Sequence, residues 1–289
     1  MEWLDAIIQG VLLGGLYALF ATGLSLIFGV MRLVNIAHGD LIVLAAFLGL
    51  AMVNGTGVHP LISLIVIVPV MAGIGYALQR GILNLTLGRD ILPPLLVTFG
   101  LSIIIQNVLL EVFSADTQRL KAGALETASI AIGEQIAIGW FPLIVFLSAV
   151  GVIAILQLVL FRTRLGTAFR ATSDDHETAA LMGIDNRHVF ALAMALALAV
   201  VALAGTFMAI RTNFSPAIGP ARLLYAFEAV IIGGLGSLWG TLAGGVILGV
   251  AQAIGAKFHP GGQILAGHVA FLIVLVLRPN GLFPRTRDR

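Results

Sequence analysis

The sequence predicts an all-α protein, a polytopic bundle of transmembrane helices. Three observations predict it. Apolar residues make up 59% of the 289-residue chain and charged residues only 10%, against about 25% charged in a soluble domain. Mean hydropathy is +1.06. Apolar runs of roughly 20 residues, the length a helix needs to cross ~30 Å of hydrocarbon, recur along the whole chain.

Hydropathy marks about nine spans, near 5–31, 33–53, 60–79, 91–114, 139–161, 188–210, 223–237, 240–257 and 262–278. The seventh is short and runs into Gly233-Gly234-Leu235-Gly236, so a broken span and a count of eight are the alternative. The segments between spans are too short to bury a core of their own. Residues 1–289 therefore read as a single transmembrane domain with an internal loop near 162–187 and an external loop near 115–138. The 34 glycines suit close helix approach in lipid.

Charge sets the orientation. With 162–187 in the cytoplasm, Arg32, Arg80, Arg89, Arg162, Arg164, Arg170, Arg187, Arg278, Arg285, Arg287 and Arg289 all face inward, eleven of the sixteen basic residues. Arg119, Lys121, Arg211, Arg222 and Lys257 lie outside. This obeys the positive-inside rule. It places the N-terminus out and the C-terminus in, which needs an odd number of spans. The start Met1-Glu2-Trp3-Leu4-Asp5 is acidic, and the apolar run after it is too long for a signal-peptide core.

Several function classes are excluded. The formal excess is only +2 and topology accounts for it, so the pI near 9.4 does not indicate nucleic acid. With no cysteine there is no disulfide or thiolate chemistry. No G-x-x-x-x-G-K-[ST] phosphate loop is present, so the chain does not hydrolyse nucleotide itself. No G-x-S-x-G or H-E-x-x-H motif is present either.

The most informative stretch is the charged island at 166–185, GTAFRATSDDHETAALMGID. Arg170, Asp174, Asp175 and Glu177 cluster there between long apolar spans, which suggests a handle for a soluble partner. Glu177 opens a short helix, where the helix dipole favours negative charge. Ala179 and Ala180 are small enough for close approach, and Gly183 ends the turn. The plain alternative is a solvated loop.

Within the spans, Asn35 and His38 would share a helix face at i,i+3. They read equally as interfacial polar groups or as part of a path or gate. Asp40 would point elsewhere. Glu228 is a lone intramembrane carboxylate that must be protonated, hydrated or paired. Gly233, Gly234 and Gly236 follow it and allow the backbone to bend, which membrane depth tolerates only when buried or lining a cavity. Gln9, Gln106, Asn107, Gln252 and His268 are expected to make helix–helix hydrogen bonds. The external loop reads equally as a connector, with a short surface helix, or as a docking surface. A weak echo links the glycine-punctuated 14–40 region with 224–236 and hints at duplicated halves.

Taken together, ordered blocks across essentially the whole chain resemble the membrane permeases of high-affinity branched-chain amino-acid ABC importers, the shorter of their two permease types. They are Gly14-Gly15-Leu16-Tyr17-Ala18-Leu19, Gly23 to Val30, Asn35-Ile36-Ala37-His38-Gly39, Gly166 with Arg170-Ala171, Ala179 to Ile184, Gly233 to Ser237 with Gly240, and Arg278-Pro279-Asn280-Gly281-Leu282-Phe283. The 177–183 segment resembles the E-A-A-x-x-x-G loop that couples such permeases to their ATPases. The resemblance implies a second homologous permease in a heterodimer, two cytoplasmic ATP-binding subunits that hold ATP and Mg, and a periplasmic substrate-binding protein. It implies a bacterial inner-membrane location and a small polar solute. A proton-coupled secondary transporter or channel is the alternative, with Glu228 carrying the coupling proton.

Overall fold

The computed structural model describes residues 2–87, 92–132, 136–259 and 261–283. Arg89, Arg285, Arg287 and Arg289, which figure in the charge expectation above, lie outside the described residues.

The helices are α1 (Glu2–Met31), α2 (His38–Thr56), α3 (Pro60–Gly81), α4 (Leu92–Phe113), α5 (Ala124–Thr127), α6 (Trp140–Arg162), α7 (Arg164–Asp174), α8 (His176–Leu181), α9 (Asn186–Arg211), α10 (Gly219–Gly233), α11 (Leu238–Phe258) and α12 (Gly262–Leu277). Among the described residues, eight helices are long and apolar enough to cross a membrane. The ninth expected span, α12, is apolar but only 16 residues long. The span expected at 223–237 is α10, extended by a 3₁₀ turn at Pro216–Ile218.

Helices α1 and α9 form the buried centre, while α3, α4 and α6 are mostly exposed and apolar. That is the pattern lipid imposes, since polar backbone is satisfied inside each helix and apolar side chains face the acyl chains. With hydrocarbon on both sides, packing depends on close backbone approach, and small residues supply it. Gly10-x-x-x-Gly14 of α1 crosses Gly245-x-x-x-Gly249 of α11, where a Cβ on Gly10 would sit 2.6 Å from the Val250 Cα. The adjacent stripe of α11, Gly240 and Gly244, lies against the Gly233 and Ala229 carbonyls of α10. Gly75 meets the Met194 carbonyl where α3 crosses α9, and Gly205 meets the Ile42 carbonyl where α9 crosses α2.

Two chain reversals depart from the expected spans. Residues 32–37 are not helical, so the span expected from residue 33 begins only at His38. The His38 Nε2 bonds the Phe20 carbonyl at 2.8 Å. Phe20 lies eleven residues before the end of α1, about 16 Å along its axis. The chain therefore runs back into the bundle before α2 starts. Residues 212–218 repeat this after α9, and α10 begins where Gly39 abuts the Gly219 carbonyl. The starts of α2 and α10 thus meet inside the bundle. The shared form, a long helix, an extended return and a helix starting at depth, links α1–α2 with α9–α10, a different pairing from the weak sequence echo.

The external loop holds α5 and a hairpin of β1 (Ser129–Ile132) with β2 (Ile136–Gly139). The hairpin was not expected from sequence. Gln118 pairs with Phe214 across this end of the bundle, and Arg119 binds Glu126 at 2.9 Å.

Candidate functional site: a tethered handle and a polar centre

The charged island folds as two helices. Thr163 caps α7 by accepting from the Gly166 amide. Asp175 caps α8, its Oδ1 accepting from the Glu177 and Thr178 amides at 3.0 Å each and its Oδ2 from the Thr178 hydroxyl at 2.6 Å. These bonds favour the ionised carboxylate and hold its pKa below the usual range. Glu177 does sit in the first turn of α8. Gly183 follows the helix at φ +86°, in the left-handed region.

The two alanines do not act alike. Ala179 is buried against the protein and accepts from the Ile184 amide through its carbonyl, while Ala180 is exposed. The expectation of a paired small surface is corrected to Ala180 alone, beside Leu181 and Met182, which are 87% and 80% exposed. Asp174 is exposed and lines a cleft of about 520 Å³ with Asp175, Arg32, Leu33, Pro94 and Phe190. Arg170 is turned inward. It donates to the Leu160 carbonyl at the end of α6 and its guanidinium lies 5.2 Å from the Phe161 ring centroid.

The handle is tied to the bundle core. Ser173 Oγ donates to the Gly29 carbonyl at 2.7 Å. Gly29 in turn packs on Gly236, a Cβ there lying 3.4 Å from the Gly236 Cα. Gly233 ends α10, Gly234 and Gly236 adopt φ of +103° and +78°, and α11 starts at Leu238. The tail closes over this turn, with the Leu282 and Phe283 amides donating to the Ile232 and Gly233 carbonyls at 2.9 and 3.0 Å. The three glycines grouped with Glu228 from sequence therefore sit at the handle end, away from the centre.

Asn35 and His38 do not share a helix face, because the helix starts only at His38. Asn35 instead builds the turn, its Oδ1 accepting from the Ala37 amide and its carbonyl from the His38 amide. Both side chains are buried. Asp40 pairs across to α4, its Oδ2 accepting from the Ser102 hydroxyl at 2.5 Å. Glu228 is paired, its Oε1 meeting the His268 Nδ1 of α12. His268 stacks on Tyr225, whose ring lies 5.1 Å from that of Tyr17. Tyr17 donates to the Gln252 Oε1 at 2.6 Å.

Of the five polar residues expected to bridge helices, Gln252 and His268 do so, and Gln9 reaches the Ala137 carbonyl of the hairpin. Gln106 donates to Ser102 of its own helix and also engages the Asp40 carboxylate of α2, while Asn107 bonds within α4. Sequence reasoning missed the Tyr17–Tyr225 ring contact and the placement of Arg211 and Arg222, which it counted as external charges. Their signal was two arginines flanking a Pro/Gly-containing break between apolar runs.

A helical bundle with broken helices meeting at a buried polar centre defines a multi-pass membrane permease. The chain belongs to the family described as branched-chain amino acid transport system / permease component, whose model matches residues 6–277. It is 30% identical to the high-affinity branched-chain amino acid transport system permease protein BraD of Pseudomonas aeruginosa, over 98% of this chain and 96% of that protein. It is 28% identical to LivH of Salmonella typhimurium over 99% of this chain and 96% of the relative. Its match to LivM of Escherichia coli, 27% identical, covers only 45% of this chain and 31% of LivM.

Proposed function

We propose that this chain is one permease subunit of an ATP-driven ABC importer that carries branched-chain or related amino acids inward by alternating access. In this reading it pairs with a second homologous permease in a bacterial inner membrane. Two cytoplasmic ATP-binding subunits, which hold ATP and Mg, grip the handle, and a periplasmic binding protein delivers the solute to the opposite end. The N-terminus lies outside and the C-terminus in the cytoplasm.

The observation that carries the reading is the tethered handle. Leu181 and Met182 project from a capped helix, and such exposed apolar side chains mark a protein contact. Ser173, in the preceding helix α7, connects the charged island to the end of α1, the central helix. Closure of the ATPases around α8 would therefore move α1 and the Gly233–Gly236 turn together, which is the rigid-body route to alternating access. Arg170, Asp174, Asp175, Glu177, Ala180 and Gly183 serve coupling in this scheme, with Ala179 seating the helix. Asn35, His38 and Glu228 support the path, and Gly233, Gly234 and Gly236 supply its hinge.

The test is purification of the tagged chain with its partners, followed by ATPase and uptake assays of wild type, Glu177→Arg and Leu181→Asp. Both residues are exposed, so the fold should survive. Co-purification of an ATP-binding subunit in wild type and its loss in the variants supports the reading. Unchanged behaviour in both variants overturns it. A second reading rests on the pairing of the buried Glu228 with the half-buried His268 between α10 and α12. A proton-coupled carrier would lose uptake with an uncoupler and keep it when ATP is depleted.

A further inference from the structure

At the end of the bundle opposite the handle, two cations reach inward without a counter-ion. Arg211 ends α9 and Arg222 lies in the first turn of α10. The Arg211 Nη1 and the Arg222 Nε are buried and have no hydrogen-bond partner. Among the described residues, no carboxylate lies within 4 Å of either guanidinium. Both guanidinium groups are within electrostatic reach of the Tyr17 hydroxyl, and that of Arg222 lies 5.9 Å from the Tyr225 ring centroid. Each arginine is half-buried, with one guanidinium nitrogen covered by protein.

This arrangement is costly on three counts. A guanidinium nitrogen removed from water without a partner is strongly unfavourable. Two like charges near one hydroxyl repel each other. Arg222 also stands at the positive end of the α10 dipole, where a cation is disfavoured. The nearby acids do not relieve it. Glu228 has one oxygen on His268, and Asp40, which packs at Gly219, has one on Ser102. The other oxygen of each is buried without a partner, and among the described residues neither acid forms an ion pair with an arginine. Helix starts that meet at membrane depth are suited to an anionic group, and here the starts of α2 and α10 meet beside Arg222.

We propose that Arg211 and Arg222, backed by the Tyr17 and Tyr225 rings, form a carboxylate-binding site that receives the carboxylate of the transported solute. The site deepens the reading under Proposed function and rests on it only for the source of the carboxylate. Guanidinium pairs bind carboxylates by charge-assisted hydrogen bonds, and the tyrosine faces would hold the apolar part of the ligand.

The experiment is thermal unfolding of the purified permease complex without its binding protein. Leucine, isovalerate (leucine's isobutyl group directly on a carboxylate, one carbon shorter and without the ammonium) and leucinamide (no carboxylate) are each added at about 10 mM, a level at which a millimolar site raises the unfolding temperature by mass action. Leucine and isovalerate should both raise it, and leucinamide should not. Arg211→Gln and Arg222→Gln should abolish the shift, and Arg222→Lys should retain part of it. If the Gln variants instead shed the second permease, and Arg222→Lys restores it, the carboxylate belongs to that partner chain. A wild-type complex that neither carboxylate stabilises, with the second permease retained in both Gln variants, overturns the proposal. The shift is read on the permeases alone, so it stands apart from any failure to find an ATP-binding subunit.

Discussion

The Ser173 hydroxyl donates to the Gly29 carbonyl at 2.7 Å and so joins the handle helix to the last turn of the central helix. This bond spans 144 residues of sequence and connects the surface on which a partner would pull to the buried helix against which α6, α9, α10 and α11 pack. A single such hydrogen bond contributes about 1 kcal/mol. Ser173→Ala should therefore assemble normally, yet lose transport per ATP hydrolysed by about fivefold, the factor that ~1 kcal/mol represents. Parallel uptake and ATPase measurements on one preparation check it, and an unchanged ratio removes Ser173 from the coupling route.

The glycine crossings make a steric prediction. A side chain at Gly249 would overlap the Gly10 carbonyl, whereas a Cβ on Gly73 of α3 meets nothing within 4 Å. Gly249→Val should cost about 3 kcal/mol or more, in the range of severe overpacking. Gly73→Ala should be neutral or stabilising, because alanine is the better helix former. The yield of monodisperse protein and its unfolding temperature distinguish the two.

Breaking the Glu228–His268 pair from one side should be worse than removing it whole. His268→Leu leaves a carboxylate that is 2% exposed with no partner, and such a loss typically costs about 3 kcal/mol. The double variant Glu228→Gln/His268→Leu should recover most of that stability. Chemical or thermal unfolding of the three forms measures the coupling. Additive effects would mean that the two side chains do not depend on each other.

Asp175 gives the handle a pH dependence of known sign. Its folded pKa is lowered by hydrogen bonds from the Thr178 hydroxyl and amide, then by the Glu177 amide and the charge of His176. A carboxylate whose pKa falls on folding contributes stability that is complete above its unfolded value of 3.8 and is lost as pH drops through the lower folded value. Cleavage of the 175–185 segment by an acid-active protease should therefore rise only at pH below about 4. In Asp175→Asn, that acid-dependent increase should disappear. Persistence of the same acid transition in the variant would assign it to another group.

Much of the molecule was legible from composition and period. Apolar runs of roughly 20 residues leave a chain no stable option in lipid except helices, so the spans were found with ends mostly within a few residues. The short helix in the charged island was equally legible, because charge between apolar runs, an acid in the first turn and a terminal glycine are local signals. Tertiary structure alone decided where the chain turns back. Residues 32–37 are apolar enough to pass for a helix start, and the His38–Phe20 contact, the Asn35 turn and the bond from the Ile36 amide to the Thr98 hydroxyl hold them inside the bundle instead. It likewise decided which polar groups meet. The bond between Tyr17 and Gln252 and the pairing of Glu228 with His268 join residues 235 and 40 positions apart. No local pattern encodes such pairs. They exist because close glycine crossings bring distant helix faces within hydrogen-bond reach, and a polar group buried in lipid must find a partner there.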